Sequence, residues 1–240
     1  MKYTRYEKFR QAVPKPVKNL VAPIRNLFVA KEQSEMQYWR NRFKSEGQFE
    51  NDWYQPIMLN MADEKNDDFL ANKVVADFGC GPRGSLAWAK KASLRVGIEV
   101  LAAEYAREFP SEISKHNMIY VCSTEEIIPM PSGLVDLMFT MNALDHVENL
   151  ENMCSEICRV LKKGGTFFGS FNLNEPPTAA EPQTLTENIL DQKLLRMFKK
   201  QKVRFGGQRP GGSRYADMFE GTSNYVENKP GYMWFKGTLI

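Results

Sequence analysis

The spacing of apolar residues changes character several times along the chain, and each change marks an element. Between Glu32 and Phe43 the residues Met36, Trp39, Arg40 and Phe43 recur at helical spacing, and Trp53, Ile57, Met58 and Met61 suggest a second amphipathic helix. The period then shortens. Lys73–Phe78 is a compact β run that ends in the turn Gly79-Cys-Gly-Pro-Arg-Gly84, after which Leu86, Trp88 and Ala89 predict a helix. Arg95–Glu99 reads as the second strand, Leu101–Phe109 as a helix stopped by Pro110, Met118–Val121 as the third strand and Val135–Thr140 as the fourth.

From Asn149 to Leu161 the residues Leu150, Met153, Ile157, Val160 and Leu161 share one helical face, and Lys162-Lys-Gly-Gly165 reads as a basic last turn with a glycine stop. Thr166–Phe171 is the fifth strand. A helix from about Thr186 to Lys199, a strand at Lys202–Phe205, a loop from Gly206 to Ser213 and a closing strand at Tyr232–Ile240 complete the reading. Strands alternating with helices predict an α/β fold: a Rossmann-like, doubly wound, mostly parallel seven-stranded sheet with helices on both faces. The expected division is a basic N-terminal extension with helices over 1–65 and the sheet domain over 66–240.

Charge alters this picture at the N-terminus only. The chain has 240 residues and a net charge of +3, too little to mark a nucleic-acid binder. Yet Lys2, Arg5, Lys8, Arg10, Lys15, Lys18 and Arg25 face a single early acid, Glu7, while Val17, Leu20, Val21, Ile24, Leu27 and Phe28 recur at helical spacing, broken by Pro14, Pro16 and Pro23. Two readings stand: a basic amphipathic segment suited to peripheral contact with an anionic inner membrane face, or a solvated extension. No stretch approaches the roughly 18 apolar residues of a membrane span. Cys80, Cys122, Cys154 and Cys158 form no CxxC pair, so a reduced, cytoplasmic setting is the expectation.

The glycine turn carries the chemistry. Gly79-Cys80-Gly81-Pro-Arg-Gly84 matches G-x-G-x-x-G, which by itself points only to a nucleotide. Asp77, at the end of the strand before the turn, decides which one. A pyrophosphate wants backbone N–H groups and no nearby acid, whereas a carboxylate suits a cationic amino or sulfonium group. Glu99, ending the second strand, has the spacing of a ribose-diol acid and fits either kind of nucleotide.

Val74-Val-Ala-Asp77-Phe-Gly79-Cys-Gly81-Pro resembles motif I of the class I S-adenosylmethionine (SAM)-dependent methyltransferases, and Arg159-Val-Leu-Lys-Lys-Gly164-Gly165 resembles their later helix-ending signature. The resemblance covers about residues 70–172 and, loosely, the last strand. It implies SAM as cofactor, with Asp77, Gly79, Cys80 and Gly81 around the methionine part and Glu99 on the ribose hydroxyls. It also implies Ser123, Thr124 and Glu125 on the adenine, and Met141 or Asn142 beside the sulfonium. Ser123 stands where many relatives carry an acid.

Methyl transfer needs alignment and, for a hydroxyl acceptor, a base. His116, between a helix and a strand, reads as a surface residue. His146, in Asn142-Ala-Leu-Asp145-His146, follows the fourth strand, and with Asp145 forms the candidate catalytic pair; the alternative is a histidine that bonds only the backbone. A Mg²⁺-type site using Asp145 with other oxygens is the weaker alternative, because no second clustered acid is evident, and no metal is assigned. Asn172 and Glu175, in the polar connection after the fifth strand, and Arg209 and Arg214, flanked by glycines, are candidate substrate contacts.

The Asn-Glu-Pro-Pro loop and the Asp-His pair look like those of bacterial methyltransferases acting on sugars. The expected function is therefore methyl transfer to a small-molecule or lipid-linked glycan acceptor, at a sugar hydroxyl. The alternatives are a SAM-binding module without catalysis and an NAD-dependent oxidoreductase. Nucleic acid is disfavoured, because the segment after the fourth strand reads Met141-Asn-Ala-Leu and lacks the Asn/Asp-Pro-Pro-aromatic tetrad that grips a flipped base.

Overall fold

The structure, a computed structural model, describes residues 15–208 and 215–240, with side chains from residue 31 onward. It divides into two compact units, Met1–Arg42 and Phe43–Ile240. Helix α1 (Lys15–Glu46) runs through Pro16 and Pro23, where breaks are expected from the sequence. Pro16 sits in the first turn, where no N–H is needed, while Pro23 forfeits one ladder bond. The helix ends at Gly47, whose φ of +76° lets the chain turn away.

In the larger unit α2 (Tyr54–Ala62) and a short 3₁₀ turn (Asp67–Leu70) lead into β1 (Val74–Phe78). There follow β2 (Leu94–Glu99), α3 (Ala102–Glu108), α4 (Pro110–Lys115), β3 (Ile119–Cys122) and β4 (Val135–Met141). Then come α5 (Leu150–Val160), β5 (Leu161–Leu173), α6 (Glu187–Lys193), β6 (Phe198–Gly207), α7 (Ala216–Glu220) and β7 (Gly231–Leu239). The sheet is seven-stranded, in the order β3-β2-β1-β4-β5-β7-β6. Strands β1 to β5 pair in parallel, and β7 runs antiparallel between β5 and β6. The order reverses at β1, so the crevice at the carboxyl ends of β1 and β4 is where such sheets bind ligands.

Alternate residues of each strand feed two separate cores. Ala76, Phe78, Val96, Ile98, Met138 and Phe167 pack with the apolar face of α5 and with Leu190 of α6. Val75, Leu137, Phe139, Phe168 and Trp234 face the other way, against α2, Leu86, Ala89, Tyr215 and Met218. Asp77 follows Val75 by two positions and so points to this second face. Helix α5 is the best specified: Asn149 Oδ1 caps it by accepting from the Asn152 amide at 3.1 Å, and Leu150, Met153, Cys154, Ile157 and Val160 are its buried stripe.

Four expectations from the sequence need correcting. No helix follows β1: residues 81–91 form consecutive turns, such as Ala87 N–H to Gly84 O at 2.9 Å. Pro82 and the left-handed Gly84 interrupt the helical backbone at the start of the crossover 79–93. Lys162-Lys-Gly-Gly165 is not the end of α5. It is a bulge in β5, where pairing to β4 jumps from Val135↔Leu161 to Leu137↔Thr166.

The helix expected to reach Lys199 stops at Lys193, because Phe198 onward pairs with β7, and Gly206 and Gly207 belong to β6 rather than to a loop. Pro110 stops α3 as expected, yet it also opens α4 at a position that tolerates it. His116 is corrected with the site below.

Phe168 is buried and stacks on Phe139 with centroids 4.6 Å apart. Phe168→Ala is expected to lower the unfolding free energy by about 3–5 kcal/mol. Asn149→Ala, which loses only a cap, should lower it by about 1 kcal/mol. Urea denaturation followed by far-UV circular dichroism measures both.

Candidate active site

The carboxyl ends of β1, β2 and β3 and the residues just after β4 bring together most positions singled out in the sequence. Gly79 has φ +73°, and a Cβ there would lie 2.2 Å from that of Ala143, so the glycine lets the loop run against the segment after β4. Gly79 N–H donates to Ile98 O at 2.9 Å, and Gly81 N–H to Glu99 Oε2 at 3.0 Å. The buried Glu99 also accepts from the Leu101 amide at 3.3 Å, so one carboxylate ties the glycine loop to the start of the next helix. Ser123, buried, donates its amide to Glu99 O at 3.1 Å, which sets the segment after β3 beside it.

Asp77 is 2% exposed. The Ser85 hydroxyl donates to its Oδ2, while Oδ1 is buried with no hydrogen-bond partner among the described residues. Burial pushes the Asp77 carboxyl up to about 7, and the Ser85 bond pulls only partly back. Burial, with the charges of Glu99 and Asp77, likewise pushes the Cys80 thiol well above its usual range, so Cys80 is a neutral wall of the loop. An unsatisfied carboxylate oxygen at this depth calls for a cationic or hydrogen-bond-donating ligand and repels a phosphate. The ammonium and sulfonium groups of SAM fit that demand, and Asp77 and Glu99 are the residues that could face them and the ribose.

The remaining adenine candidates are engaged locally. Thr124 Oγ1 accepts from the amides of Glu126 and Ile127 at 3.2 and 3.1 Å, and Glu125 Oε2 accepts from the Glu148 amide at 3.2 Å. Met141 is half-buried against the second core. Asn142, left-handed with φ +50°, donates Nδ2 to the Tyr215 hydroxyl at 2.8 Å. Ser170 Oγ lies 3.2 Å from both Asn142 Oδ1 and Tyr215 Oη and accepts from Trp234 Nε1 at 3.0 Å. The residue expected beside the sulfonium is thereby held by Ser170 of β5 and by Tyr215, which precedes α7.

Asp145 and His146 stand on the acceptor side. Asp145 is buried; Asn172 Nδ2 donates to its Oδ2 at 3.1 Å, and Oδ1 has no partner among the described residues. His146 Nε2 lies 3.6 Å from Glu181 Oε1. Ligand atoms of Asp145, His146 and Glu181 all fall within 4.8 Å of one another, a group able to hold a divalent cation. The connection bearing Glu181 is stapled over this segment: Gln183 donates its amide to Asp145 O at 3.1 Å and its Nε2 to Val147 O at 3.0 Å. Glu175 meets Gln208 at 2.7 Å, and Arg209 and Arg214 lie outside the described residues.

His116, expected at the surface, is buried. Its ring fills the space where a Gly84 Cβ would come within 2.3 Å, and Nδ1 lies 2.7 Å from the Tyr120 hydroxyl. Burial depresses its pKa. A flanking turn suggested exposure, but the missing helix after β1 leaves a gap that the imidazole fills. The run to Glu181 was expected to help build the acceptor pocket, though without a role for that side chain, and Ser85, Tyr215 and Ser170 were not singled out. Tyr215 and Ser170 meet across 45 residues, a separation no local pattern encodes.

The raised carboxyl of Asp77 has a consequence for stability. Its folded value of about 7 exceeds its ordinary 3.8, so its contribution is present below about pH 4 and is lost as pH rises through 7. Asp77→Asn removes that loss. The ligand-free variant should be more stable than wild type at pH 8, by up to about 4 kcal/mol, and no different near pH 4. It should also bind SAM far more weakly. Thermal melts across pH, with and without the nucleoside, measure both.

Residues 76–169 match a family model described as a methyltransferase domain. Among curated proteins, the chain is 29% identical over 105 residues to the human mitochondrial ubiquinone biosynthesis O-methyltransferase, covering 41% of this chain and 28% of that protein. It is 30% identical over 131 residues to the ubiquinone biosynthesis O-methyltransferase of Xanthomonas oryzae pv. oryzae, covering 52% of each. The chain thus spans about half or less of the length of these relatives. A solved S-adenosylmethionine-dependent methyltransferase from Mesorhizobium loti shares the fold, with TM-score 0.53 and 15% identity over 70% of this chain and 92% of that one. Residues 76–169 thus match the methyltransferase-domain family, and the larger unit has the Rossmann-like fold of solved S-adenosylmethionine-dependent methyltransferases.

Proposed function

We propose that the protein transfers the methyl group of SAM to a hydroxyl oxygen of a small-molecule acceptor, a sugar or glycan hydroxyl in the first instance. The observation that carries this is the convergence of Asp145, His146 and Glu181 within 4.8 Å beside the end of β4. The bound cofactor supplies an activated methyl group, so the chain itself must orient the acceptor and take its proton. A hydroxyl has too high a pKa to react unaided at neutral pH, which is what an imidazole backed by a carboxylate relieves.

Glu181 holds the His146 ring and stabilises the imidazolium as it forms. The open Oδ1 of Asp145, fixed by Asn172, accepts a hydrogen bond from the acceptor and aligns it. Gln183 holds the connection against the Asp145 and Val147 carbonyls and so keeps Glu181 beside His146. The relatives named O-methyltransferases support oxygen as the acceptor atom. The sugar class draws its support from the likeness of the Asn-Glu-Pro-Pro loop and the Asp145-His146 pair to those of sugar-modifying methyltransferases. A lipid-linked form of it, bound peripherally at a membrane, draws its support from the basic residues Lys2 to Arg25.

A second reading is favoured by the same cluster: a divalent cation on the three side chains would lower the hydroxyl pKa in place of a base. The two differ under chelation.

With labelled SAM and a panel of sugar nucleotides, lipid-linked saccharides, phenols, amines and carboxylates, label should enter hydroxyl acceptors. A signal confined to amines contradicts the proposal. His146→Ala should lower turnover by about 10²–10⁴-fold, and Glu181→Gln by a smaller factor. Turnover that survives EDTA supports the imidazole base, and loss restored by Mg²⁺ or Mn²⁺ supports the cation.

A further inference from the structure

We propose that Arg83 is a positioning residue for cofactor binding: it clamps the glycine loop to residues 46–51 and supplies the rigidity that a following helix would otherwise give. This rests on the reading of Asp77 to Glu99 as the SAM site. The loop Gly79–Gly84 is followed by turns rather than a helix, so no helical ladder anchors its far end. A loop that must present amides and a carboxylate at fixed positions then needs another anchor, or it loses affinity through the entropy of ordering on binding.

Arg83 provides that anchor from inside the protein. It is 4% exposed, unusual for an arginine unless paired. Its Nη2 donates to Glu46 Oε1 at 2.6 Å and its Nη1 to Glu50 O at 2.6 Å. The guanidinium lies 5.6 Å from the centre of the Phe49 ring. Asn51 Nδ2 returns a bond to Arg83 O at 3.1 Å, so side chain and backbone of the same residue are both held.

The strap is itself fixed. Phe49 packs edge-on against Phe43 and Phe109, and its amide donates to Glu112 Oε2 at 3.1 Å. Beyond the clamp, the His116 ring closes on Gly84 from the opposite side. The loop is thus gripped at 83 by the strap and at 84 by His116, and at 79 and 81 by Ile98 O and Glu99. A planar fork with several donors makes such a clamp; a lysine could not serve two acceptors with the same geometry.

The test uses Arg83→Met, which keeps the bulk but removes the donors, and Asn51→Ala, which removes only the bond to the Arg83 carbonyl. Titration calorimetry with S-adenosylhomocysteine and amide hydrogen exchange are read on both. Arg83→Met should weaken binding at least tenfold and Asn51→Ala about threefold. Exchange should quicken at the Gly79 and Gly81 amides while those of Val96 and Ile98 keep their protection.

A folded Arg83→Met with wild-type affinity and wild-type loop exchange overturns the proposal. If that variant does not fold, Asn51→Ala decides by the same two readouts, and unchanged values there overturn it. A wild-type chain that binds no S-adenosylhomocysteine counts against the cofactor reading. The exchange pattern then still decides whether Arg83 braces the loop.

Discussion

A carboxylate removed from water with only one of its oxygens satisfied destabilises the protein that holds it, and Asp77 is such a group. Its position follows from strand alternation. Val75 and Asp77 share the face of β1 that meets the second core, so the acid is carried inward at the point where the strand gives way to the glycine turn. Among the described residues only the Ser85 hydroxyl compensates it, from a segment that packs on the same face. The remaining demand is for positive charge, and this selects a sulfonium nucleoside over a dinucleotide. The free chain carries the penalty so that the ligand can relieve it, an instance of binding strength obtained at the expense of stability.

The rest of the larger unit keeps that arrangement in place. The two cores hold β1 and β4 from both sides, and their parallel register sets Asp77 level with Phe139, so that the next residues of each strand open onto a common crevice. On the cofactor side the crossover after β1 gives up its helix and is gripped instead by Arg83, His116 and Glu99. On the acceptor side β5 contributes Ser170 and Asn172, two positions apart on one face, which hold Asn142 and Asp145 respectively. A single strand thus organises both the residue expected beside the methyl group and the one expected to meet the acceptor.

Much of this was legible in the sequence, for identifiable reasons. Strands β1 and β4, buried on both faces, read as continuous apolar runs, and α5 carries an apolar stripe at helical spacing, so these elements were placed within a residue or two. Asp77 stood out because it closes a strand beside a glycine turn, and Glu99 because it ends the next strand at the spacing of a ribose-binding acid. What escaped was of two kinds. The missing helix after β1 and the bulge at Lys162–Gly165 depend on the backbone at Pro82 and Gly84 and on strand pairing, which override local propensity. His116 and Tyr215 owe their roles to partners on distant elements, Gly84 and Ser170, and nothing near them in the chain announces it.

The central claim is that the buried acid at the glycine turn chooses the cofactor. Titration calorimetry of the wild-type chain at pH 8, with SAM in one experiment and NAD in another, tests it most directly. Saturable binding of SAM with no detectable heat from NAD is the predicted result. Saturable binding of NAD with none of SAM would contradict it.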